Sequence, residues 1–197
     1  MKALLKAENT EVDKADKDSN TPLHLAVAGS HLEAVSFLLD VGSDINRKGN
    51  GNQTPLFKAS CYTGSVGIVA ELLNRGADPE LPTDSGWFPL HDAADNIEMT
   101  KLLISKHANI NVQKLDQWTP LHLSIEWGEK EIAQFLLANG ADPNILDNKE
   151  QTPFHLSWAA GLDDIFIQHQ GLIRVDPSIY DYHGMTPIHR AASVSSP

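Results

Sequence analysis

The sequence predicts an all-α solenoid of about six helix–turn–helix repeats, and three observations support that fold class. A six-residue motif recurs along the chain at spacings of 33, 34, 31, 33 and 34 residues. A leucine-rich motif follows four of its copies, and 41 % of the residues are apolar, which is enough for a continuous core. The copies of the first motif are Thr21–Ala26, Thr54–Ala59, Phe88–Ala93, Thr119–Ser124, Thr152–Ser157 and Thr186–Ala191.

Each copy of the first motif is expected to begin a helix. In Thr21-Pro22-Leu23-His24-Leu25-Ala26 the threonine hydroxyl can accept a hydrogen bond from one of the unpaired N–H groups of the first turn. Proline at the first helical position loses no hydrogen bond, because that N–H has no partner in any helix. Leu23 and Ala26 then share one face, where the small alanine allows a neighbouring helix to approach closely.

The leucine-rich motif predicts the buried end of a second helix in each repeat. Gly42, Gly76 and Gly140 each follow three residues after a second leucine, where a left-handed helix stop favours glycine. The four copies are Phe37-Leu38-Leu39, Glu71-Leu72-Leu73, Lys101-Leu102-Leu103 and Phe135-Leu136-Leu137.

Together these two motifs resemble the ankyrin repeat, whose pattern is Thr-Pro-Leu-His-x-Ala and Leu-Leu-x-x-Gly-Ala-Asp-x-Asn at a period of about 33 residues. Residues 136–144 match the second pattern most closely. The resemblance covers nearly all of the chain and implies a single ankyrin-repeat domain, 1–197, of stacked helix–turn–helix units with β-hairpin-like loops. The expected units are 1–15 (partial), 16–49, 50–81, 82–112, 113–146, 147–180 and 181–197 (partial). The partial first unit favours a segment of a longer array.

Composition limits the partners and the compartment. Fifteen Lys and Arg against 26 Asp and Glu give a net charge of −11, which argues against nucleic-acid binding through phosphate contacts. A single cysteine, Cys61, excludes an intrachain disulfide and suits a reducing, intracellular compartment, either cytoplasmic or nuclear. No run of about 18 apolar residues is present, so membrane insertion is not expected. We expect a monomer.

Enzyme and cofactor motifs are absent from the sequence, and we expect neither catalysis nor a cofactor. The acidic pairs Asp163-Asp164 and Asp92 with Asp95 are better explained as solvated charges at helix starts. Neighbouring repeats of this family are expected about 10 Å apart, so equivalent histidines cannot converge to about 2 Å around one metal ion. The resemblance implies that they bond backbone groups instead. These are His24, His91, His122, His155 and His189.

The family resemblance implies a concave face formed by the hairpin tips and the exposed ends of the first helices. Aromatic residues at such positions in repeats 2 to 4 lie among acidic ones, an arrangement that suits a basic, partly apolar protein or peptide partner. The expected partner-binding residues are Tyr62, Asp84, Trp87, Asp95, Asp116, Trp118, Glu126 and Trp127. In the alternative, Trp87 and Trp118 pack against the next hairpin, Trp127 folds onto the turn between its helices, and Trp158 belongs to the core.

The expected function is therefore non-catalytic recognition of a protein or peptide. An alternative is a regulatory segment that packs on other domains of a longer receptor, channel or enzyme. A further family feature is the asparagine that ends the Gly-Ala-Asp-x-Asn turn, matched by Asn46, Asn111 and Asn144 but replaced by Glu80. In some members this asparagine is hydroxylated, but here a bond to turn backbone is the favoured role.

Overall fold

The computed structural model describes residues 12–61, 65–168 and 175–194, and these ranges contain helices and no strand. The all-α prediction is confirmed. The helices are α1 (Pro22–Ala28), α2 (Leu32–Asp40), α3 (Pro55–Ser60), α4 (Val66–Asn74), α5 (Pro89–Asp92), α6 (Ile97–Ser105), α7 (Pro120–Glu126), α8 (Lys130–Ala138), α9 (Pro153–Ala160), α10 (Asp164–Gln168) and α11 (Pro187–Val194), with a 3₁₀ turn at Asn50–Asn52.

The first of two compact units contains the described residues up to Ala93 together with Lys101–Ala108. In it α1 packs against α2 of the same repeat and α3 of the next, and α3 packs in the same way against α4 and α5. The motif leucines Leu23, Leu56 and Leu90 lie at these contacts and are at most 2 % exposed. The predicted apolar stripe of the first helices therefore forms the core of this unit.

The second unit contains Ala94–Thr100 and the described residues from Asn109 onward. Here α7 packs against α8 and α9, α9 packs against α11, and α8 packs against α10. Serine replaces the motif alanine at Ser124 and Ser157, and both are fully buried. Their hydroxyls donate to Leu121 and Phe154 carbonyls at 3.0 and 2.8 Å, so these buried polar groups are satisfied. That residues 1–197 form a single domain stays a prediction.

The motif prolines begin the first helices as predicted, with threonine at the N-cap of five of them. The Thr54 and Thr119 hydroxyls accept from the N–H groups of Phe57 and His122 at 3.1 and 3.3 Å. In repeat 3 the N-cap is Phe88, which has no hydroxyl, and its own N–H donates to His91 Nδ1 at 3.2 Å. The motif histidine is therefore a second capping group.

The histidines bond backbone groups, as the family resemblance implies. His122 Nδ1 accepts from the Thr119 N–H at 3.1 Å, which leaves the proton on Nε2, and Nε2 donates to the Gln151 carbonyl at 3.2 Å. His24 donates in the same way to Gln53 at 3.0 Å, and His155 donates to Met185 at 3.1 Å. Each of these bonds joins a first helix to the hairpin tip of the following repeat.

The second helices end as predicted, except in repeat 3. Gly42, Gly76 and Gly140 have φ of 92°, 90° and 96°. The prediction that Lys101-Leu102-Leu103 corresponds to the leucine pair was wrong by one residue. Leu103 is fully buried and its carbonyl accepts from the Ala108 N–H, so the pair is Leu103-Ile104. His107, with φ of 66°, occupies the position that glycine takes elsewhere.

The loops before the first helices, here called tips, share one hairpin-like geometry. The N–H of the first tip residue donates to the carbonyl of the fifth at 2.9–3.1 Å, and the fourth has φ between 56° and 75°. Backbone bonds also link three pairs of successive tips, from Asp84 to Gly51 at 2.9 Å, from Asn148 to Asp116 at 3.0 Å and from Tyr182 to Lys149 at 3.0 Å. The tips are residues 16–20, 49–53, 83–87, 114–118, 147–151 and 181–185.

The turn asparagines, which follow the C-terminal end of the second helix, link neighbouring repeats. Asn46 Oδ1 accepts from the Asp78 N–H at 2.9 Å, and Asn111 accepts from Asp142 at the same distance. The predicted bond to turn backbone is confirmed, while hydroxylation of these residues stays a hypothesis. Asp13 plays the same part for the Asp44 N–H at 3.0 Å, which agrees with the partial unit predicted before repeat 1.

The buried histidine makes stability depend on pH. Burial lowers the pKa of His122 to about 4, although the Gln151 carbonyl opposes this shift. The unfolded chain therefore binds a proton more readily than the folded one, and stability is lost as pH falls from about 6.5 to about 4. Between pH 7.5 and 5, wild type should lose about 2 kcal/mol more unfolding free energy than His122→Gln. Urea unfolding at both pH values measures this difference.

The control is His107→Gln at an exposed position. This variant should lose as much unfolding free energy between pH 7.5 and 5 as wild type does. Equal losses in wild type and His122→Gln would contradict a neutral, hydrogen-bonded His122.

Candidate functional site

A groove of about 540 Å³ lies in the first unit, between the first helices and the tips of repeats 2 and 3. Phe57 on α3 and Trp87 on the tip of repeat 3 supply aromatic surface to it, and Val27 adds an aliphatic side chain from α1. Its lining residues are Val27, Ala28, Ser30, Gln53, Phe57, Lys58, Cys61, Ser85, Trp87 and Asp92. The groove is of the size of small-ligand and peptide-anchor sites.

Two polar groups in this groove come from equivalent positions of successive first helices. Lys58 follows Phe57 on α3, and Asp92 follows His91 on α5. Lys58 lies close enough to His24 to contribute to lowering the pKa of that imidazole, although burial is the larger cause. Cys61, also in the groove, donates through its thiol to the Lys58 carbonyl at 3.2 Å.

The tip of repeat 3 holds two of the predicted binding residues, Asp84 and Trp87. Asp84 is exposed, and its carboxylate accepts from the Asn52 side-chain amide of the previous tip. Trp87 is half-buried, with its ring 6.1 Å from that of His91 in an edge-to-face arrangement. Its backbone N–H donates to Thr83 Oγ1 at 3.1 Å. Tyr62, the third residue predicted for this part of the chain, lies outside the described residues.

In the second unit Trp118 is held by its neighbours on several sides. Its indole N–H donates to Asp147 Oδ2 at 3.0 Å, in the tip of the next repeat. The ring stacks on His122 at 6.1 Å, and the Lys114 ammonium lies 5.3 Å from its centre. Trp118 is half-buried, and its bond to Asp147 joins it to the following tip. The alternative prediction, packing against the next hairpin, is confirmed for this residue.

Asp116 also takes part in the structure of its tip. It forms an ion pair with Lys114 and accepts from the Trp118 N–H at 3.2 Å. Burial acts to raise the pKa of Asp116, but these two donors outweigh it and the pKa is lowered. This carboxylate replaces the aspartate that begins other tips: in repeat 4 that position is Lys114, which cannot accept a hydrogen bond.

The remaining predicted residues differ in exposure. Trp127, at the C-cap of α7, is 42 % exposed, and Glu126 beside it is exposed as well. Asp95 is half-buried, and its Oδ1 has no hydrogen-bond partner among the described residues. Trp158, predicted to belong to the core, is half-buried and packs against Phe154, with ring centres 6.0 Å apart.

The sequence prediction missed Lys58 and Asp147. Asp147 is 2 % exposed and, besides Trp118, accepts from the N–H groups of Lys149 and Gln151 at 2.8 Å each. A signal was available, because Asp16, Asp147 and Asp181 occupy the same tip position. Lys58 had no such signal, since a single lysine in a helix matches no motif.

Within the ranges that the structure describes, no group of three or more His, Cys, Asp or Glu side chains is arranged to hold a metal ion. Among the same residues, none of the helices combines the length and the apolar composition that crossing a membrane requires.

Comparison with known proteins agrees with this geometry. A family model described as ankyrin repeats (3 copies) matches residues 1–83 and 66–147. The chain belongs to the ankyrin repeat family. Ankyrin repeats are generally protein–protein interaction modules, and the fold is typically non-catalytic.

Similar ankyrin repeat proteins include "Ankyrin repeat protein nuc-2" of Neurospora crassa, 33 % identical over 166 residues, which are 82 % of this chain and 15 % of the relative. Rabankyrin-5 of Homo sapiens is 30 % identical over an alignment of 184 residues, and this alignment covers 73 % of this chain and 16 % of that protein. The chain thus spans about a sixth of the length of these curated relatives. The crystal structure of the ankyrin repeat domain of Bcl-3 has a TM-score of 0.82 and 25 % identity, covering 92 % of this chain and 82 % of that one.

The role of Asp147 in the ankyrin tips can be measured. Asp147→Ala leaves three N–H donors without their acceptor and should lower the free energy of unfolding by about 3 kcal/mol. Trp118→Phe removes only the indole donor and should cost about 1 kcal/mol. Urea unfolding followed by circular dichroism gives both values. The matched control Asn148→Ala, at an exposed neighbour, should stay within about 0.5 kcal/mol of wild type. An Asp147→Ala value no larger than this control would show that the contacts are not stabilising.

Proposed function

We propose that this chain is a non-catalytic recognition module that binds a protein or peptide through its tips and first helices. The observation that carries the proposal is the groove of the first unit, where Trp87 and Phe57 present aromatic surface beside polar groups. Large aromatic side chains in a concave site dominate the energy of protein interfaces, because they bury much area at low entropic cost. In the groove, His24 holds the tip of repeat 2, and the backbone bond from Asp84 to Gly51 holds the tip of repeat 3, so little order has to be gained on binding.

The second unit offers exposed apolar side chains of its own. Leu115 and Tyr182 are each 76 % exposed and occupy the same position in their tips. Trp127 lies at the end of a first helix, with Glu126 beside it. These residues, rather than Trp118, are the contact surface that we propose for this unit. Asp84, Asp95, Asp116 and Glu126 add negative charge near the tips or helix ends.

The proposed partner is basic overall, since a chain with a net charge of −11 attracts positively charged segments over several ångströms. The same charge repels nucleic acid. Single-cysteine composition supports a cytoplasmic or nuclear location. We propose that the chain binds as a monomer, without a cofactor and without inserting into a membrane.

A second candidate function is regulation within a longer protein, in which this segment packs on other domains of the same chain. The coverage of the curated relatives favours it, because the matched segment makes up only 15 % and 16 % of their lengths. The same tip and helix residues would then contact a domain in cis.

Trp87→Ala should weaken binding of the partner while leaving the fold intact, because it removes the largest aromatic surface from the groove. Wild type and variant are immobilised, incubated with cell lysate, and the captured proteins are quantified by mass spectrometry. Direct binding of each captured protein, purified, should weaken at least about tenfold on Trp87→Ala, which is the usual scale for a central interface residue.

The control is Leu32→Ala on α2, which is exposed in the same unit but does not line the groove. It should capture the same proteins as wild type. Capture that is unchanged in Trp87→Ala, with both variants melting normally, would contradict binding through this groove. Trp127→Ala then tests the surface of the second unit in the same assay.

A further inference from the structure

We propose that the groove of the first unit selects a partner segment in which an acidic side chain lies next to a large apolar one, with the carboxylate bound by Lys58. This inference rests on the proposed function, because it names the chemistry of the segment that the groove would take. The net charge of the chain favours a partner that is basic overall, because it acts over several ångströms. The contact with Lys58 concerns one acidic side chain of that partner at hydrogen-bond distance.

Lys58 differs from other half-buried cations of the described residues in that it has no ion-pair partner. Two other half-buried cations have a carboxylate partner: Lys114 pairs with Asp116, and Arg190 pairs with Asp181 at 2.7 Å. Lys58 is half-buried and lines the groove, yet within the described residues its ammonium has no ion pair or hydrogen bond. In a chain with 26 acidic residues, a groove cation without a counter-ion is a binding group for an external anion.

The groove itself does not supply that counter-ion. Among the described residues, Asp92 is the one carboxylate that lines the groove, and no ion pair joins it to Lys58. The other polar liners, such as Ser85 and Gln53, are neutral. A carboxylate entering the groove would therefore meet the Lys58 ammonium without displacing an existing ion pair.

The surroundings of Lys58 determine what lies beside the carboxylate. Phe57 precedes it on the same helix and is 9 % exposed, and Trp87 and Val27 also line the groove. An apolar side chain that fills this space excludes water from the ion pair, and the lower local dielectric strengthens the attraction. The two requirements are met together by an acidic residue within two positions of a large apolar residue in an extended segment.

The test is selection of a random twelve-residue peptide library, displayed on phage, against the full chain. Selected sequences should be enriched in Asp or Glu within two positions of Leu, Ile, Met, Phe or Trp. For a selected synthetic peptide, replacing the acid by its amide should weaken binding to wild type about tenfold. The same replacement should have no effect on binding to Lys58→Gln, which completes a double-mutant cycle. When the library is selected on the Lys58→Glu variant, the peptide position that holds Asp or Glu for wild type should be enriched in Lys or Arg instead.

Lys48→Glu is the control for the charge change, since Lys48 is exposed in the same unit and does not line the groove. It should select the same acidic peptides as wild type, and all variants are first shown to melt like wild type. Peptides that depend on Trp87 but show neither acidic enrichment nor sensitivity to Lys58→Gln would overturn this inference and leave the proposed function standing. Failure to select any peptide that Trp87→Ala loses would overturn both.

Discussion

The bond from the motif histidine to the next tip is the interaction on which the tips of repeats 2, 5 and 6 depend. His122 caps its own helix through Nδ1 and holds the Gln151 carbonyl through Nε2, and it can do both only as a neutral imidazole. Burial enforces that state by lowering its pKa. One side chain thus joins the start of a helix to a loop 29 residues later. Because the tips are fixed in this way, their side chains are presented without a large loss of entropy on binding.

Tip geometry resides in backbone bonds, so the side chains of the tips can vary. Asp147 satisfies two N–H groups of its own tip, whereas Lys114 cannot and Asp116 takes over part of that role. With Lys114 at the position of Asp147, the tip of repeat 4 has an ion pair beside Trp118 where the tip of repeat 5 has a buried carboxylate. A fixed backbone with exchangeable side chains is what allows one scaffold to recognise many partners, and it is also why the family alone does not name the partner.

The helix starts and stops could be predicted from the sequence, because each depends on a few adjacent residues: Thr-Pro at one end and Gly at the other. The leucine pair of repeat 3 was misplaced because Leu102 and Leu103 are adjacent, while Ile104, the true second member, is not a leucine. Packing of Trp118 on the next hairpin was one of two predicted alternatives, but its partner Asp147 could not be predicted, because it lies 29 residues away and the contact exists only after two tips stack. Local patterns therefore predict the repeats, whereas the surroundings of each candidate site residue depend on contacts between repeats.

The groove lies where the repeat motif departs from its pattern. Repeat 2 has Phe57 in place of the histidine, so this position cannot donate to the carbonyl of the following tip as His24 does. That tip is held instead by the bond from the Asp84 N–H to Gly51 and by the Asn52 side chain. The phenyl ring makes no hydrogen bond of this kind and lines the groove next to Lys58, where it supplies aromatic surface. A local break in a pattern that is otherwise consistent is expected at a functional position, and here it coincides with the one groove cation that lacks a counter-ion among the described residues.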